Sequence, residues 1–197
     1  GLARPRRRGG GDGEGIRLLG SLAYLADGSA GLTIVDVSNP AAPRGAANLS
    51  LPGYAFGLAI SRTVSGSLTT TLAFVAAGTA GLQIVDVSNP AAPVRIGVYT
   101  NTQDLHSVEV AGRYAYLADA TTGVLVLDVS QPAAPTLISA FDTPSYARGL
   151  SVRDNLLYIA DGEGGLLSAY VTDAPTVPQL VHLPLVPQRL WLLPFPP

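Results

Sequence analysis

The chain has 197 residues, 47% of them hydrophobic and only 13% charged, with 12 basic against 14 acidic side chains and a formal net charge of −2. That balance offers no broad basic field to a nucleic acid. The lack of cysteine excludes a disulfide framework and thiolate metal sites, and no apolar run is long enough to predict a membrane-spanning helix. Every basic residue is arginine, which reads as genomic bias; methionine is missing, which predicts a processed product or an excerpt rather than a chain that opens at a translation start.

Residues 1–14 (GLARPRRRGGGDGE) have almost nothing to bury and are predicted to be a disordered tail. The alternative for their four arginines is a tether to an anionic surface. From residue 15 onward the chain repeats itself. YLADGSAGLTIVDVSNPAAP at Tyr24–Pro43 returns as FVAAGTAGLQIVDVSNPAAP at Phe74–Pro93 and as YLADATTGVLVLDVSQPAAP at Tyr116–Pro135. A worn copy, YIADGEGGLLSAYVTDAPTVP, occupies Tyr158–Pro178. The opening aromatics are 50, 42 and 42 residues apart. A period of that size marks units that bury their apolar faces only by stacking on neighbours.

The third unit shows the plan of each copy. His106–Val110 alternates apolar and polar residues, Gly112-Arg113 turns the chain, and Tyr114–Ala118 runs back. Asp119–Gly123 is a second turn, Val124–Val129 a β-branched run, Ser130–Pro135 a loop, and Leu137–Phe141 a closing strand. Four short strands bounded by turn-formers, with no helical period anywhere, predict an all-β chain. The fold expected is a β-propeller of four roughly 42-residue, four-stranded blades, near 15–53, 54–103, 104–145 and 146–185, followed by a proline-rich closing tail at 186–197. The alternative is part of a larger propeller. In Arg189–Leu193, Trp191 stands near the place of a fifth innermost strand. Either the tail seals a four-blade ring, or further blades or a second copy complete it. The eight extra residues in the first spacing fall in Ser61–Thr71 and predict one long, exposed hairpin.

Asp36, Asp86 and Asp128 precede the proline loop, where a carboxylate accepts backbone N–H bonds and staples the turn. Proline cannot donate to a ladder, so NPAAP lies outside the strands.

The motif IVDVSNPAAP preceded by YLADG-x-x-GL resembles the LVIVD repeat family, over roughly Gly15–Leu183. The fourth unit departs from it, with Ser168-Ala169-Tyr170 in place of the strand-ending aspartate. The resemblance implies multi-copy propellers of bacterial and archaeal surface or exported proteins. It implies an extracytoplasmic or cell-surface interaction or scaffold module, with no catalytic residues to carry over.

On one face of such a propeller the innermost strands open at equivalent positions, Glu14, Phe56, His106 and Arg148. Four different side chains in one column are free of a shared packing role, which marks them, with Tyr54, Asp104 and Tyr146 one column earlier, as candidate ligand contacts at the channel mouth. Asp27, Asp119, Asp161 and Glu163 lie on the same face. The three aspartates are one strand further out and cannot converge on an axial ion, so they read as turn chemistry and no metal is predicted. His106 and Asp104 could form a base and its orienting group, yet no nucleophile accompanies them, and His182 lies in the proline-rich end. No enzyme activity and no cofactor are expected. Three uses remain open: a non-catalytic module contacting protein or carbohydrate, a small-ligand or enzymatic propeller using the mouth, and structural blades of a larger ring or filament.

Overall fold

Short runs rich in Val, Ile, Leu and Tyr, punctuated by Gly and Pro, form sixteen strands among the described residues and almost no helix. The computed structural model describes residues 14–154 and 156–171 and the backbone of 180–181. Residues 1–13 of the N-terminal tail, His182, the proline-rich tail and Trp191 lie outside the described residues. Four antiparallel sheets follow in chain order, each of four consecutive strands, arranged as a four-bladed propeller.

The first sheet contains β1 (Gly15–Leu19), β2 (Leu22–Ala26), β3 (Leu32–Asp36) and β4 (Arg44–Leu49). The second contains β5 (Gly57–Ser65), β6 (Leu68–Ala76), β7 (Leu82–Asp86) and β8 (Val94–Tyr99). The third has β9 (Leu105–Ala111), β10 (Tyr114–Asp119), β11 (Gly123–Asp128) and β12 (Thr136–Phe141). The fourth has β13 (Gly149–Arg153), β14 (Leu156–Ala160), β15 (Leu166–Tyr170) and β16 (Leu180–Val181). Tyr24, Phe74, Tyr116 and Tyr158 all lie on the second strand of their sheets, opposite Ile34, Ile84, Val126 and Ser168 of the third.

Strand alternation gives each sheet two apolar faces, and consecutive sheets lock one into the next. Tyr24, Leu32 and Ile34 pack on Leu58, Val75 and Val85 of the second sheet. Phe74 and Ile84 pack on Leu105, Leu117 and Leu127 of the third. Tyr116 and Val126 pack on Leu157, Ile159 and Leu167 of the fourth. Among the described residues no buried cluster spans the remaining junction. Ile16 and Leu18 of the first sheet, and Leu166 and Tyr170 of the last, are exposed.

The innermost strands crowd together at one end. A Cβ on Gly57 would stand 2.8 Å from the carbonyl of His106, and one on Gly15 would stand 3.1 Å from the Cα of Gly57. Only glycine allows neighbouring backbones this near. Arg17 of β1 also reaches Glu109 of β9 at 2.6 Å, linking the first and third sheets.

The proline loops are stapled as the sequence predicts. Asp36 Oδ1 accepts the Ser38 N–H at 2.8 Å, Asp86 the Ser88 N–H at 2.8 Å, and Asp128 the Ser130 N–H at 2.9 Å. Asn39 and Asn89 add a second bond, to the N–H of Ala41 and Ala91. The backbone bonds hold Asp36 below the usual carboxylate range. Asp128 is lowered first by Arg113, whose guanidinium it also binds.

Candidate functional site

The four rim positions occupy equivalent places. Glu14, Phe56 and Arg148 each donate a backbone N–H to the last residue of the second strand, Ala26, Ala76 and Ala160. In the third sheet the pairing of Ser107 with Ala118 puts His106 at the same level.

Five of the seven candidate residues meet. Tyr54 Oη donates to Glu14 Oε1 at 3.3 Å, joining the second sheet to the first. The Tyr54 ring lies 4.8 Å from that of Phe56, and Phe56 lies 4.4 Å from the His106 ring, joining the second sheet to the third. His106 Nε2 is 3.1 Å from Asp104 Oδ2. Side chains from three sheets therefore fill this part of the mouth as one aromatic and polar stack. Tyr146 and Arg148 stand apart from it, exposed on the rim of the fourth sheet. His106 has a carboxylate on one side and the Phe56 ring on another, an arrangement that orients the imidazole.

The aspartates of the outer loops do more than shape turns. Asp119 is fully buried. Between Ala118 and Asp119 the register with β9 shifts, and the carboxylate receives four backbone N–H groups. Gln103 and Asp104 donate to Oδ2 at 2.6 and 3.2 Å, and Thr121 and Thr122 to Oδ1 at 3.0 Å each. Burial pushes its pKa up, and the four donors more than offset this, leaving it below the ordinary value. Asp119 thus fixes the segment that carries Asp104. Asp161 does the same for the fourth sheet through the Ser145 N–H at 2.9 Å, and Asp27 bonds Thr33 Oγ1 at 3.0 Å. The recurrence of aspartate at this place was the available signal. Its reach into the preceding inter-sheet loop is a tertiary fact. Among the described residues no group of three or more His, Asp or Glu side chains could hold a metal ion.

A concavity lies on the opposite face, at a place that no repeat motif marks. It measures about 340 Å³ between the first and second sheets and is lined by Leu19, Leu22, Tyr24, Arg62, Thr69 and Ser88, among others. The signal for it was the insertion, read from sequence only as an exposed hairpin.

The LVIVD repeat family model matches residues 10–48, 67–101, 104–143 and 144–168, more than half of the chain. No curated protein matches it. Among solved structures it is similar to a functionally unknown protein from Desulfotomaculum acetoxidans DSM 771, with a TM-score of 0.70 and 13% identity over 89% of this chain and 56% of that one. The computationally designed Ika4 protein gives a TM-score of 0.63 and 9% identity, covering 83% of this chain and 93% of that one. The designed Ika8 protein gives 0.60 and 9%, covering 80% and 45%. The chain thus spans about half the length of two of these three, and at such identities the likeness concerns the fold alone. The repeat matches, one on each of the four sheets, establish that the chain belongs to the LVIVD repeat family.

Proposed function

We propose that this propeller is a non-catalytic interaction module of an exported or cell-surface protein, and that its channel-mouth face docks a protein partner. The repeat fold itself supports a binding or scaffold role. The observation that carries the finer reading is the Tyr54–Phe56–His106 stack. It fills its part of the mouth with a firm aromatic surface, and Tyr146 and Arg148 are exposed elsewhere on the same rim. Tyrosine and arginine are among the residue types that dominate protein–protein hot spots. The export reading rests on the family resemblance.

The test is capture by the immobilised chain from an extract of its source, run beside a glycan array, with wild type and a Tyr146→Ala/Arg148→Ala variant. Both residues are exposed, so the variant folds. The expected result is a protein retained by wild type and lost by the variant. Capture indifferent to the substitution refutes the mouth as the docking face, and a glycan signal that depends on these residues replaces the protein by a carbohydrate. Fractionation of the source cells tests export.

A further inference from the structure

The second sheet differs from its sisters by the long hairpin. Its strands stay paired from Gly57↔Ala76 out to Ser65↔Leu68, so the insertion forms an ordered ribbon. Cross-strand partners share a face, which puts Arg62 with Thr71 and Val64 with Thr69 on the side that continues Leu58 and Ile60. Leu58 and Ile60 pack against the first sheet, so the ribbon walls a cleft beneath that sheet's Gly20-Ser21 turn.

The lining of this cleft is chemically one-sided. Arg62 is exposed in it and pairs with no carboxylate among the described residues. No acidic side chain lines it. Tyr24 is only 1% exposed yet contributes to the lining, and no described residue hydrogen-bonds its hydroxyl. Burial raises its pKa, which keeps the phenol a donor. The equivalent place is Phe74 in the second sheet, which packs without a hydroxyl, and tyrosine in the third and fourth, Tyr116 and Tyr158. Ser88 Oγ accepts the Thr71 N–H at 3.0 Å, which leaves its own O–H to donate. Ser21 and Thr69 add two more hydroxyls, and Leu19, Leu22 and Val87 supply apolar surface.

We propose that this cleft binds a small hydroxylated carboxylate of the sugar-acid class, its carboxylate on Arg62 and the Tyr24 hydroxyl and its hydroxyls on Ser21, Thr69 and Ser88. A phenol hydroxyl that reaches the cleft surface and an exposed guanidinium, neither with a partner among the described residues, are matched by an anion that accepts from both. The single guanidinium suits a monoanion better than a phosphate dianion. At about 340 Å³ the cleft is at the small end of ligand sites, the size for one sugar ring. It opens on the face opposite the mouth, so its test is independent of the docking surface.

The experiment titrates D-glucuronate, D-glucose, acetate and inorganic phosphate into the full chain, followed by NMR and calorimetry. Saturable glucuronate binding is expected, with shifts at Tyr24, Arg62 and Thr69. Glucose, acetate and phosphate should each bind at least about tenfold more weakly. Arg62→Gln should weaken glucuronate by about tenfold or more, and Tyr24→Phe by several-fold with an unchanged Tm. Absence of saturable glucuronate binding overturns the proposal, as does equal binding by Arg62→Gln or tighter binding of phosphate. Thr69→Val removes one hydroxyl at nearly constant shape, and a loss there with the fold intact supports the assignment independently.

Discussion

Replacing Asp119 by alanine removes one carboxylate and strands four backbone donors at once, those of Gln103, Asp104, Thr121 and Thr122. At about 1 kcal/mol net per hydrogen bond, the four sum to about 4 kcal/mol. Gln103 and Thr121 are in exposed positions, where water recovers part of that, so a loss of about 3 kcal/mol is expected. The assay is denaturant unfolding of wild type and variant at neutral pH. A second signature comes from linkage. The folded pKa of Asp119 is lowered, so its contribution is complete above the unfolded value of about 3.9 and is lost as pH falls through the folded one. Wild type should therefore lose more stability than the variant on going from neutral pH to well below pH 4. The variant keeps the share owed to Asp36 and Asp128, whose pKa values are also lowered. A loss under about 1 kcal/mol, or identical acid sensitivity, would refute the view that this carboxylate ties the inter-sheet segment to the third sheet.

Gly81→Ala and Gly20→Ala form a matched pair. Both glycines have positive φ, +78° and +59°, but a Cβ on Gly81 would overlap the Tyr99 carbonyl, whereas Gly20 faces open space. Thermal and urea unfolding should show about 1 kcal/mol lost at Gly20 and about 2–4 kcal/mol at Gly81; equal losses would mean the strand connection yields. Replacing Arg62–Thr71 by a Gly-Ser turn copies the first sheet, where Ser21 accepts the Val37 N–H as Thr71 accepts that of Val87. Because the outer ribbon pairs only with itself and its apolar residues Val64 and Leu68 are exposed, the change should cost less than about 1 kcal/mol. It should also abolish glucuronate binding, and loss of folding on denaturant titration would show that the ribbon is part of the core.

The sequence by itself determined the strands, their count per unit and the turn chemistry. Alternation along YAYLA and VLVLD assigns faces without reference to any neighbour. A carboxylate two residues before a backbone N–H staples its loop locally, as Asp36, Asp86 and Asp128 do. The repeat period also placed Glu14, Phe56, His106 and Arg148 at one level, because equivalent residues of identical units share a height along the axis. What only the tertiary structure decided is how those columns meet. The period says nothing of the radius or tilt of the sheets, and these bring Gly15 and Gly57 into backbone contact and lay Phe56 against His106 while leaving Arg148 and Tyr146 outside. The same holds for Asp119, a turn residue in sequence and a four-donor anchor in space. Tyr24, which in sequence only marks a repeat, lines a cleft because an insertion in the next unit extends a ribbon beside its sheet. Local rules fix what each strand is; contacts between sheets depend on distances that no single repeat encodes.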